Sequence, residues 1–204
     1  METQTKTPNP FLAIWIKPRG TLRHILDTNP QQHVLLLAAL SGIYRAFDNA
    51  SKQSLGDSFA FLPLLAVCIL AGGLIGIASV YITAELFRWA GSALDGKATS
   101  EEMRAALAWS ALPDCVLLVI YIPILVIYGH KWFTSSPEWM SAELALAIII
   151  VLAPIGIVML AWRAFLFVKC LAEAHRFSAW RGLATGILGT AVVVVPLLVF
   201  FALF

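Results

Sequence analysis

Four long apolar runs dominate this chain, at about 59 to 84, 110 to 129, 143 to 168 and 183 to 204. Each reaches the roughly 20 helical residues needed to cross a hydrocarbon core about 30 Å thick. Inside a bilayer every backbone amide must find a partner within the protein, so such runs fold as helices rather than as loops or open strands. Composition agrees: 60% of the 204 residues are hydrophobic and 13% are charged, with a mean hydropathy of +0.84. A single soluble core of this size would not hide that much apolar surface. The fold class expected is an all-α integral membrane protein.

A fifth segment, 31 to 50 (QQHVLLLAALSGIYRAFDNA), is less plain, because Arg45 interrupts its apolar stretch after about 14 residues. A re-entrant or tilted segment competes there with a full crossing. The cations favour the crossing, since positive charge is retained on the cytoplasmic side. Lys6, Lys17, Arg19 and Arg23 precede the segment; Arg88, Lys97 and Arg104 follow the second run; Arg163, Lys169, Arg176 and Arg181 close the fourth. In a five-span chain all of these fall on one side, leaving Lys52 and Lys131 on the other and Arg45 within the first span. The expected architecture is a five-transmembrane-helix bundle over 31 to 204 (spans about 31–50, 59–84, 110–129, 143–168 and 183–204). It has a cytoplasmic N-terminal segment over 1 to 30 and a C-terminus on the opposite side.

Within that first segment, NPFLAIWIKPRGTLRHILDTNP interleaves apolar residues with cations between prolines. It reads as an interfacial amphipathic helix, with Trp15 at headgroup depth and Lys17, Arg19 and Arg23 towards lipid phosphate. A linker packed beneath the bundle is the competing reading. No small-residue cleavage site follows its short apolar patch, so no cleavable leader is expected. Between the second and third runs, DGKATSEEMRAALAW supplies a turn at Asp95-Gly96 and a capping box, Thr99 with Glu102, ahead of a short helix. That helix must end or bend by Pro113, because proline disfavours the α conformation in the residue before it.

These segments resemble a known family. NPFLAIWIKPRGTLRHIL, the loop GKATSEEMRAALAWSALP and the five-span layout are similar to the Yip domain family, the Ypt- or Rab-interacting membrane proteins, from about Pro10 to the C-terminus. That family carries G-Y-x-x-x-P at the start of its third span; here Ala108 and Trp109 replace the pair and Pro113 keeps the proline. The D-L-Y-G-P hallmark and the long N-terminal extension of eukaryotic members are absent. The resemblance is thus to a compact prokaryotic-type member, and implies the fold without a settled activity.

Charged groups within spans cost about 2.5 to 3.5 kcal/mol on insertion scales and usually face the bundle interior or water. By depth, Glu85, Arg88, Asp114, Arg163, Lys169 and Glu173 would form one cytoplasmic-side polar layer if the helices pack in register. Local explanations compete: Glu85 with Arg88, Lys169 with Glu173, Glu173 with Arg176 and Arg45 with Asp48 all have intrahelical pairing distance, and Asp114 sits where a helix N-terminus favours a carboxylate. Arg163 has no acid three or four residues away, so it must snorkel to headgroups or pair with another helix, where Asp114 is the candidate.

Other chemistry is poorly supported. Cys68, Cys115 and Cys170 read as apolar packing residues, and His24, His33, His130 and His175 lack ligand spacing, so neither a metal nor another cofactor is expected. No nucleophile elbow, phosphate loop, paired catalytic carboxylates or zinc motif occurs, so an enzyme is the least supported class. The basic residues suit anionic lipid rather than nucleic acid. Gly72 and Gly76, and Gly182, Gly186 and Gly189, allow close helix approach within the bundle or, alternatively, in a homo-oligomer. Pro123, Pro154 and Pro196 fall inside three spans and permit kinks. The leading expectation is a non-enzymatic scaffold or adaptor organising membrane proteins or lipids from its cytoplasmic face. The alternative is a small permease or lipid-translocating protein that uses the polar layer.

Overall fold

A computed structural model describes residues 9 to 135 and 141 to 203; Lys6 and Phe204, which entered the span and charge assignments, lie outside them. All regular structure among the described residues is helical. Two short helices come first, α1 (Pro10–Ile16) and α2 (Pro18–Thr28), each with proline in its first turn, where the missing N–H would be unpaired in any case. The longer ones follow: α3 (Val34–Lys52), α4 (Phe61–Ser92), α5 (Ser100–Ser110), α6 (Leu112–Tyr128), α7 (Ala142–Ala174) and α8 (Ala179–Leu203). Short 3₁₀ turns cover Leu55–Asp57 and Gly129–Phe133.

Three helical stretches among the described residues are long and apolar enough to cross a membrane: Phe61–Ser92, Ser100–Phe133 and Leu146–Ala174. By that measure α3 is not among them, since Arg45, Asp48 and Lys52 crowd its second half.

The loop chemistry read from the sequence is realised around α5. Thr99 accepts from the Glu102 amide at 3.2 Å while the Glu102 carboxylate accepts from the Thr99 amide at 2.8 Å, closing the capping box. At its other end α5 stops at Ser110, and α6 restarts after Ala111 with Pro113 in its first turn. From Ala105 to Asp114 every residue is buried, because α5 is packed among α2, α3, α4 and α7.

Close packing of α3 on α4 sets the rest. An added Cβ at Gly42 would lie 2.6 Å from the Gly76 Cα and 2.8 Å from its amide nitrogen, and one at Gly72 would lie 2.6 Å from the Ala46 Cβ. With Gly76 against Ala38 and Gly72 against Ala46, the two helices run antiparallel. Along α6, by contrast, α3 runs parallel: the Trp109 indole donates to the Gln32 carbonyl, Ser41 meets Asp114, and Ser51 donates to the Trp132 carbonyl. Gly182 and Gly186 receive α7 through Ala172 and Phe167, and Gly189 receives Phe87 of α4. Both glycine sets named in the sequence are therefore occupied by contacts within the chain.

Two apolar clusters hold the ends of the bundle. One gathers α1, α2 and α5 around Trp109 together with Leu166 and Leu171 of α7. The other joins Phe47, Leu64 and Phe133 at the opposite end, where Asp57 accepts from the Ser135 amide at 3.1 Å. Hydrogen bonds from the Ser135 side chain and then its amide hold the Asp57 carboxyl below its usual range, and they tie the α3–α4 connection to the segment after α6.

Candidate functional site

Asp114 is the one carboxylate that is fully buried among the described residues, 2% exposed. It occupies the third position of α6, where free amides and the positive helix end favour a negative charge. Three further partners come from two other helices. Arg163 on α7 donates through Nη1 to both carboxylate oxygens at 2.8 and 2.7 Å. From α3, Ser41 Oγ donates at 2.7 Å and Arg45 Nε at 3.3 Å. Ser41 and Arg45 are one helical turn apart and so share a face. Hydrogen bonds that involve a charged donor or acceptor are about twice as strong as neutral ones. A buried carboxylate at membrane depth is compensated here by two guanidiniums, neither of them on its own helix.

Arg45 thus departs from the expected pairing with Asp48. Asp48 instead accepts from Lys52 Nζ at 2.6 Å, one turn further along α3. The rotation of α3 decides this, since its Ser41 face is pressed on α6 and carries Arg45 to the carboxylate there.

The six residues expected in one layer fall into separate sets. Glu85 and Arg88 pair within α4 at 2.8 Å. Lys169 lies over the Phe165 ring, 5.5 Å from its centroid. Glu173 pairs neither with Lys169 nor with Arg176; it accepts from Arg19 Nε at 2.7 Å and from Arg23 Nε at 2.8 Å. Arg19 and Arg23 also donate to the Phe177 and Glu173 carbonyls, each at 3.0 Å, and Arg176 reaches Glu102 at 3.3 Å. The N-terminal residues expected at the lipid headgroups therefore divide: Arg19 and Arg23 clamp α2 to α7, Trp15 stacks on Trp162 at 6.3 Å, and Lys17 remains exposed. A Glu173→Gln substitution is expected to release this clamp. Its readout is faster proteolysis or amide exchange across residues 10 to 28, with the membrane helices unchanged.

A cleft of about 470 Å³ opens beside Asp114, between α3 and α7 and floored by α6. Tyr44, Arg45, Asp48, Lys52 and Arg163 line it together with Asp114, and Leu117, Met159 and Leu160 supply its apolar wall.

Sequence reading gave no role to His175, which follows α7 and is 1% exposed. Its ring packs over Gly91 and Gly96, where an added Cβ would lie 2.7 Å from Cδ2 and 2.8 Å from Cγ respectively, and stacks on Phe177 at 5.0 Å. Nε2 faces the Phe87 carbonyl at 3.2 Å and so carries the proton. Nδ1 is buried without a hydrogen-bond partner among the described residues, and a proton added there would have no acceptor. Burial holds the imidazole below its ordinary value, against smaller opposing effects of the Phe87 carbonyl and Glu102. Because the folded-state value is the lower one, this stabilisation is complete above the unfolded value of about 6.5 and is lost as pH falls. The Tm in detergent is expected to drop between about pH 7 and about pH 5, and His175→Gln to flatten that drop.

Apolar helices of membrane length, glycine-mediated packing and an ion cluster shared by three helices define an integral membrane protein of the all-helical class. The family model of the Yip1 domain matches residues 12–203. That is nearly the whole chain, and the chain belongs to this family. No curated protein and no solved structure gives a match.

Proposed function

We propose that this Yip1-family chain is a non-enzymatic five-span organiser of membrane lipids or membrane proteins, working from its cytoplasmic face. The observation that carries the reading is the docking of α1 and α2. Arg19 and Arg23 fasten α2 to Glu173 at the end of α7, while α1 leaves Leu12 and Ile16 71% and 82% exposed one turn apart. Lys17 follows at once, and Trp180 at the start of α8 is 80% exposed. A rigidly held apolar strip flanked by a cation suits insertion at a headgroup boundary. As the fifth crossing, α3 spans about 28 Å at 1.5 Å per residue, and its charges are compensated by Asp114 and by the Asp48–Lys52 pair. In this reading the segment 1 to 30 is the cytoplasmic part and 31 to 204 the membrane domain.

Mild-detergent purification is expected to recover a reproducible protein or lipid partner that is lost on Leu12→Ser with Ile16→Ser. Recovery of the same partner by the double variant removes α1 from the reading. Labelling of cysteines placed at the two termini is expected to place them on opposite sides; labelling on one side removes the five-span topology. The permease alternative draws on the cleft at Asp114, and requires solute or lipid flux in proteoliposomes that Asp114→Asn abolishes.

A further inference from the structure

We infer that the α3–α7 cleft is a binding site for one anionic bilayer phospholipid, its phosphate held by Arg45 and Arg163 and its headgroup drawn towards Lys52. The site rests on α3 lying within the bilayer, and is independent of how α1 and α2 act. Three observations carry it.

The first is charge. The cleft walls hold three cations, Arg45, Lys52 and Arg163, against two carboxylates, Asp48 and Asp114. An excess cation at membrane depth is costly unless something negative accompanies it.

The second is unused donor capacity. A guanidinium offers five N–H donors, yet Arg45 uses only Nε, at 3.3 Å, and Arg163 only Nη1. The remaining guanidinium nitrogens have no hydrogen-bond partner among the described residues. Both side chains line the cleft and keep exposure, 45% for Arg45 and 32% for Arg163. Two such planar forks match the oxygens of a phosphate.

The third is shape. Both α3 and α7 pack on α6 but leave a gap between them along the cleft. One side of that gap is apolar, formed by Leu117, Met159 and Leu160, and Leu160 is 69% exposed at its lip. A free phosphate would leave this wall uncovered, whereas a lipid chain leaving past Met159 and Leu160 covers it. Lys52 stands two turns beyond Arg45, about 10 Å along α3, and reaches the headgroup level at that end of the helix.

The test is native mass spectrometry of the full chain, purified and exposed to mixed micelles carrying phosphatidylglycerol or phosphatidylcholine, with inorganic phosphate as a competing arm. Phosphatidylglycerol is expected to be retained about tenfold over phosphatidylcholine, equivalent to about 1.4 kcal/mol. Arg45→Gln is expected to abolish that preference and Lys52→Gln to reduce it. Since Lys52 is exposed and pairs only with Asp48, the Lys52→Gln chain is expected to fold and keeps the test decisive if Arg45→Gln does not. Equal retention of the two lipids overturns the proposal. So does an undiminished preference in Lys52→Gln, or displacement of the lipid by millimolar phosphate. The site fails separately from the topology: termini labelled on opposite sides with no lipid preference sink the site alone.

Discussion

A Gly42→Ala chain is expected to lose about 3 kcal/mol of stability, the upper part of the usual range for overpacking a tight contact. The new methyl would lie 2.6 Å from the Gly76 Cα and 2.8 Å from its nitrogen. Both are backbone atoms of another helix, so no side-chain rotation relieves the clash and α3 must move off α4. Close backbone approach is the principal attraction between membrane helices, where lipid tails remove the usual apolar driving force. Gly20→Ala is the control: nothing stands within 4 Å of its added Cβ, and in a helix the change is expected to stabilise by up to about 1 kcal/mol. Thermal melts in one detergent check both, and equal Tm values for Gly42→Ala and the parent would show that α3 and α4 do not meet through this glycine.

Asp114→Ala is expected to cost about 3 kcal/mol, the low end for a broken buried pair because Arg163 and Arg45 keep some exposure. The loss comes from the cations left behind. Restoring neutrality in Asp114→Ala with Arg163→Leu is therefore expected to recover a large part of it, and a double-mutant cycle on Tm measures the coupling. Additive losses from the two substitutions would show that the pair is not formed. Asp114→Asn is expected to fall between, since its amide oxygen still accepts from Arg163 while the charge is gone.

Local chemistry of one or two turns was legible in the sequence. The Thr99–Glu102 box, the break ahead of Pro113 and the Glu85–Arg88 pair each depend on residues three or four apart. Arg163 was also legible, in a negative way: no acid within reach on its own helix forced a partner elsewhere. Helix rotation was not legible, and it decides the remainder. Arg45 has Asp48 at pairing distance, yet the face of α3 that meets α6 delivers it to Asp114. Arg19 and Arg23 read as lipid contacts because Glu173 lies about 150 residues away, with two cations of its own within one turn. Gly42 had a signal that was passed over: Ala38, Gly42 and Ala46 repeat at every fourth residue opposite Gly72 and Gly76, obscured by the neighbouring Ser41 and Arg45. His175 had none, because a lone histidine after a helix looks like a solvated loop residue. Its burial follows from Gly91 and Gly96, which leave room for the ring.

The burial of α5 makes the molecule unequal along its length. At the end of the bundle where Trp109 sits, a layer of buried side chains from α1 through α7 stands over Asp114. Sideways between α3 and α7 the way is open. A molecule arriving from the open side meets Lys52, then Arg45, then the carboxylate, and stops there. The fold as it stands is a dead-end vestibule, and passage through it would require α5 to withdraw from the bundle.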